Sequence, residues 1–143
     1  MIDQSRLPER LSYIECTKYS EVAEAIAKMV VRGAPAIGVA GAMGMALAAL
    51  ESRARTKTSL INELSHAKKV LDCTRPTAVN LSWATRRILS TAKYFKGDSR
   101  SIVKAVVQEA KVMADEDFEI NQTLGRNGVT LLKDRDVVLT HCN

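Results

Sequence analysis

A chain of 143 residues, 46% hydrophobic and 26% charged, is long enough for one domain with a buried core and is not a disordered or fibrous sequence. Aromatics are only 4%, so aliphatic and alanine packing has to build that core. The net charge of +5 is uneven: Arg53 to Lys104 holds twelve Lys/Arg against three Asp/Glu, which suits an anionic small molecule better than nucleic acid, because Lys68-Lys69 and Arg86-Arg87 lack interleaved aromatics.

Met1 to Tyr19 mixes polar and apolar residues around Pro8 and reads as an extended lead-in, with a short strand near Leu11 to Cys16. Its first ten residues are too polar for a signal peptide. Ser20 is placed to cap a helix that carries Glu21 and Glu24 in its first turn and Val22, Ile26, Met29 and Val30 on one face.

Arg32 to Leu50, RGAPAIGVAGAMGMALAAL, is the centre of the chain. Gly33 allows a turn, Pro35 suits the first position of a helix, and a helix is therefore expected from Ala34 or Pro35 to Glu51. Its first N–H groups lack intrahelical partners and mark the positive end of the helix dipole, with Arg32 just ahead of them: an anion seat. Gly38, Gly41 and Gly44 recur every third residue and leave one face open to a close neighbour. Eighteen uncharged residues also meet the minimum for a membrane span, but an Ala/Gly-rich run transfers poorly into lipid, and a buried central helix is the reading taken.

A polar loop over Ser52 to Thr58 precedes a helix from about Ser59 to Cys73, with Leu60, Leu64, Ala67 and Leu71 inward. Pro76 keeps Arg75 out of the α-helical region, and Thr77 is placed to cap the next helix, through Val79, Leu81, Trp83, Ile88 and Ala92. Arg75-Pro76 repeats the arginine and proline of the earlier entrance, and two such entrances aimed at one point would form a phosphate clamp. After a turn at Gly97, a long helix is expected from Ser101 to a stop at Gly125, followed by turns at Asn127-Gly128 and Asp134 to Asp136. Asp115, Glu116, Asp117 and Glu119 point different ways around that helix, so they read as a solvated face and not as metal ligands. Val137 to Thr140 has the pattern of a short buried strand, leading to His141, Cys142 and Asn143, and a strand in that place is expected to open a longer protein's next part. Three widely spaced cysteines with two histidines argue against a disulfide framework or a zinc site, and for a reducing cytosol.

Ile2-Asp3-Gln4, Leu7-Pro8, Val31 to Gly38, Arg75 to Ala84 (RPTAVNLSWA), Asn121 to Gly128 and Leu139 to Asn143 (LTHCN) together resemble the methylthioribose-1-phosphate isomerase family. That family lies within a wider group containing the regulatory subunits of translation initiation factor 2B. The resemblance implies a mainly α chain: the helical N-terminal domain of a two-domain, Rossmann-like α/β isomerase, over residues 1–133, and the first strand of the second domain over 134–143. It implies a cytoplasmic enzyme of methionine salvage, a phosphorylated sugar substrate, no metal or organic cofactor, no nucleic-acid or membrane partner, and a homodimer at full length. By motif, Arg32, Gly33, Ala34 and Arg75 would bind substrate and Cys142 would be catalytic. The family's catalytic aspartate falls beyond the last residue, so this chain alone is expected to be inactive. The alternatives are a non-catalytic initiation factor 2B-like subunit and a ribose-1,5-bisphosphate isomerase.

Overall fold

Helix α2 (Ala34–Glu51) is the post around which α1 (Tyr19–Ala27), α3 (Lys57–Thr74), α4 (Val79–Tyr94) and α5 (Ser99–Val129) are arranged, and it packs against all four. The computed structural model describes residues 1–140. By length and composition α2 alone among the described helices is apolar enough to cross a membrane. Its packing answers the question differently: ten of its residues are buried, and the core runs on through Ile26, Leu60, Leu64, Leu71, Leu81, Ile88, Ile102 and Val106.

The glycine face of α2 sets the spacing. A Cβ on Gly38 would lie 3.1 Å from the carbonyl oxygen of Asn80, and one on Gly41 would lie 2.4 Å from Leu81 Cδ1. Gly44 faces Leu71 of α3 and Val22 of α1. As α2 advances from Gly38 to Gly41, its neighbour α4 advances from Asn80 to Leu81 and Thr85. The two helices therefore run the same way, with their N-terminal ends together.

Several local expectations are corrected. Helix α1 begins one residue before Ser20, with Lys18 at the cap position; Glu21 reaches back to accept from the N–H groups of Thr17 (2.7 Å) and Lys18 (3.1 Å), so a carboxylate takes the place of the hydroxyl. Those bonds hold the Glu21 carboxyl below its ordinary pKa. Met29 and Val30 are not helical: the chain turns left-handed at Met29 (φ 55°), and Val30 N–H closes onto Ala25 O. Helix α3 starts two residues earlier than expected, because Thr56 caps it by accepting from Ser59 N–H. Ala78, not Thr77, stands at the cap of α4, where an Ala78 N–H to Arg75 O turn already sets the entry.

Helix α5 runs through both Gly125 and the Asn127-Gly128 pair to Val129. Nothing lies within 4 Å of a Cβ on either glycine, so these turns are exposed helix held by its own bonds, including Arg126 to Gln122. The turn near Asp134 forms, with Lys133 N–H donating to Asp136 Oδ2 at 2.7 Å. No strand forms at Val137 to Thr140; the segment is exposed, and no neighbour among the described residues pairs its backbone. The strand near Leu11 to Cys16 reduces to one antiparallel bridge, Ile2 to Tyr13, flanked by backbone hydrogen bonds between Met1 and Ile14 and from Asp3 N–H to Ser12 O.

Asp98 caps α5 by accepting from the backbone N–H and hydroxyl of Ser101, and these bonds hold its carboxyl below the ordinary aspartate value. A carboxyl whose pKa is lower in the folded state stabilises above its unfolded pKa, and the contribution disappears as pH falls through the folded value. Asp98→Asn is therefore expected to leave the urea midpoint nearly unchanged at pH 7, where the amide still caps, and to reduce the loss of midpoint below about pH 4. Parallel urea titrations at pH 7 and pH 3 measure both.

Candidate functional site

The parallel course of α2 and α4 brings their entrances to one end of the bundle. At α2, Gly33 sits at φ 90°, a conformation side chains resist, and Ile37 N–H closes the first turn onto Gly33 O at 2.9 Å. The N–H groups of Ala34 and Ala36 have no backbone partner among the described residues, and Pro35 has none to satisfy. At α4, Leu81 and Ser82 close the first turn onto Ala78 O, which leaves the N–H groups of Val79 and Asn80 equally free. Two positive helix ends thus lie side by side, each preceded by an arginine, Arg32 and Arg75, both half-buried.

The lead-in is hydrogen-bonded to the backbone around Arg32. Gln4 N–H donates to Val30 O at 2.9 Å, and Gln4 Nε2 donates to Arg32 O at 3.0 Å, while Arg32 Nε donates to Met29 O at 3.3 Å. Gln4 is itself fixed by its neighbour Asp3, which is 7% exposed and takes bonds from Ser5 and an ion pair from Arg6 at 3.1 Å. Gln4 is a positioning residue that periodicity could not reveal, because a loop glutamine carries no repeating signal; only the Ile2-Asp3-Gln4 resemblance pointed at the segment.

Between the entrances and α5 lies a cavity of about 220 Å³ lined by Pro35, Gly38, Val39, Asn80, Trp83, Met113, Glu116, Asp117 and Ile120. Its two carboxylates are engaged. Arg87 grips Glu116 through Nη1 (2.5 Å) and Nη2 (2.9 Å), and Asn121 Nδ2 donates to Asp117 Oδ1 at 3.3 Å. The Arg87 bonds hold the Glu116 carboxyl below its ordinary pKa. Among the described residues no cluster of His, Cys, Asp or Glu is arranged to hold a metal ion.

Of the predicted site residues, Arg32, Gly33 and Ala34 lie at the start of α2 and Arg75 in the link from α3 to α4, none of the four lining the 220 Å³ cavity, whereas Cys142 lies outside the described residues. Neither of the other two cysteines replaces it: Cys16 is half-buried, with its thiol pKa pushed up by burial, and Cys73 stands exposed on the last turn of α3.

The fold is a bundle of five α-helices in which two helix N-terminal ends lie side by side, each with an arginine shortly before it in sequence. The chain belongs to the initiation factor 2 subunit family, whose sequence profile matches residues 30–143. It is 46% identical over 143 residues to the methylthioribose-1-phosphate isomerase of Thermosipho africanus and 48% identical over 144 aligned positions to that of Geotalea uraniireducens. All of this chain is covered in both matches, but only 41% and 42% of those relatives, so it spans about two fifths of their length. Two solved structures share its fold. One is described as translation initiation factor eIF-2B, subunit delta, from A. fulgidus, with a TM-score of 0.88 at 45% identity over 100% of this chain and 42% of that one. The other is 5-methylthioribose 1-phosphate isomerase from Pyrococcus horikoshii OT3, with a TM-score of 0.86 at 44% identity over 92% of this chain and 37% of that one.

Proposed function

We propose that this chain forms one wall of the active site of a cytosolic aldose–ketose isomerase, which converts 5-methylthioribose 1-phosphate into 5-methylthioribulose 1-phosphate in methionine salvage. The observation that carries the reading is the pair of arginine-led helix entrances brought together by α2 and α4. Such a reaction moves hydrogen from C2 to C1 while the phosphate is held still. Arg32 and Arg75 supply the guanidinium forks, and the free N–H groups around Ala34 and Asn80 supply dipoles that cost nothing to orient. Gly33 keeps the backbone open for close approach of the sugar. Cys142, beside His141, is assigned the ionisable group near the reacting carbons, and it completes its chemistry with residues supplied by a chain of the relatives' length, acting as a homodimer.

A second reading, a non-catalytic subunit of the initiation factor kind, draws on the likeness to the A. fulgidus structure. Calorimetric titration separates the two. The chain is expected to bind 5-methylthioribose 1-phosphate, to prefer it over ribose 1,5-bisphosphate, and to lose about tenfold in affinity on Arg32→Ala or Arg75→Ala. Turnover by these 143 residues alone is expected to be negligible, and a protein of the relatives' length should lose turnover on Cys142→Ser. Affinity indifferent to both arginines would overturn the isomerase reading, and preference for ribose 1,5-bisphosphate would reassign the substrate.

A further inference from the structure

We propose that the opposite end of the bundle holds a second anion site, for a small molecule carrying two or more linked phosphate groups. There the C-terminal end of α2, the loop after it and the first turns of α5 enclose an open hollow of about 700 Å³, lined by Ser52, Arg55, Ser99, Arg100, Lys104 and four apolar or small residues. Three cations from two separate segments face it, and no Asp or Glu lines it. None of the three makes a salt bridge among the described residues, although six other pairs do form. The nearest acids in sequence are held by backbone N–H groups, Glu51 by Tyr19 at 3.0 Å and Asp98 at the cap of α5, and of the two Asp98 keeps a charge coupling to Arg100. Lys57 is committed too, donating to Phe95 O at 2.6 Å.

Three positive charges that line one concavity repel each other, with only Arg100 partly balanced, by the nearby Asp98 carboxylate, and that repulsion is relieved by a polyvalent anion far more than by chloride. The hydroxyls of Ser52 and Ser99 add donors, although Ser52 Oγ already accepts from Ala54 N–H at 3.1 Å. The hollow is within the size range of small-ligand sites. A nucleic-acid strand fits it less well, because the nearby aromatics do not line it and Phe95 is turned onto Gly97. The site is separate from the arginine-led entrances: sixteen residues of α2 between Ala34 and Leu50 put the two about 24 Å apart.

The test is a titration of the isotope-labelled chain with inorganic pyrophosphate, followed by amide resonances at low ionic strength. Saturable shifts are expected at Ser52, Ala54, Ser99 and Val103, with orthophosphate binding about tenfold more weakly. Arg100→Gln combined with Lys104→Gln, and separately Arg55→Gln, should each weaken pyrophosphate binding about tenfold while the rest of the spectrum stays in place, since all three side chains are exposed. Shifts confined to the Arg32 and Arg75 entrances, shifts spread evenly over every basic residue, or tighter binding of a single-stranded oligonucleotide at these same amides would each overturn the proposal. Its outcome is independent of whether the entrances bind a methylthiosugar.

Discussion

Gly38→Val is expected to destabilise the chain by about 3 kcal/mol, seen as a lower urea midpoint at an unchanged slope. The reason is the identity of the neighbour. A Cβ at Gly38 would come within 3.1 Å of the Asn80 carbonyl oxygen and 3.4 Å of Asn80 Cβ, and a backbone carbonyl in the first turn of α4 cannot rotate aside. Alanine needs only a few tenths of an ångström and gains helix propensity of about 1 kcal/mol, so Gly38→Ala should be close to neutral. Valine adds two methyl groups and has to push α4 away from α2. The same displacement separates the two entrances, so Gly38→Val should also weaken sugar-phosphate binding at temperatures where the chain is fully folded. A valine variant as stable as the parent would mean that α4 does not rest on the glycine face at all.

Arg87→Ala is expected to cost about 2 to 3 kcal/mol, measured in the same denaturation assay. Arg87 joins α4 to α5 from the side: Nε donates to Glu109 Oε1 at 2.6 Å, both terminal nitrogens engage Glu116, and its guanidinium carbon sits 5.7 Å from the centre of the Trp83 ring. The hydrogen bonds of Glu116 and Glu109 raise its pKa well above the ordinary arginine value, against the opposing effect of burial. Much of the expected loss comes from what the substitution leaves behind. The Glu109 side chain is only 25% exposed, and without Arg87 it keeps a charge with no partner. Arg87→Lys should recover only part, because a single ammonium cannot hold both carboxylates. Pairing Arg87→Leu with Glu109→Leu should recover most of it, and a double variant no better than Arg87→Ala would place the effect elsewhere.

Wherever a helix is defined by burial, its pattern was readable in the residues. The bounds of α2 follow from Gly33, Pro35 and the first charge at Glu51, and the inward faces of α3 and α4 follow from Leu60, Leu64, Leu71, Leu81 and Ile88. Helix ends were less legible, because several side chains compete for the same N–H groups. Ser20, Thr56 and Thr77 are all acceptable caps by type, yet only Thr56 caps, while Glu21 and a backbone turn occupy the other two positions. Gly125 reads as a stop and Asn127-Gly128 as a turn because glycine's cost in a helix is real, but about 1 kcal/mol each is a small penalty against continuing bonds in an established helix. The Val137 to Thr140 pattern is β-like in composition, and composition cannot form a strand without a neighbour. At the candidate site the sequence pointed to both arginines and both entrances. The convergence of the entrances depends on the α2–α4 contact, and the anchoring of Arg32 by Gln4 spans 28 positions, which no local pattern encodes.

Buried residues of α5 stop at Met113, although the helix continues to Val129. Residues 114–121 still line cavities against the lead-in, α2 and α4, but the eight residues from Gln122 to Val129 go on as a rod of about 12 Å, and a rod transmits direction as well as distance. Whatever is attached at Thr130 inherits its bearing from the bundle with little freedom to choose another. Deleting a single residue between Gln122 and Val129 would shorten this arm by only about 1.5 Å, yet would swing its far end through about 100° around the helix axis. The length of the arm is thus forgiving in reach and unforgiving in azimuth, so this stretch is constrained in residue count far more than in residue identity.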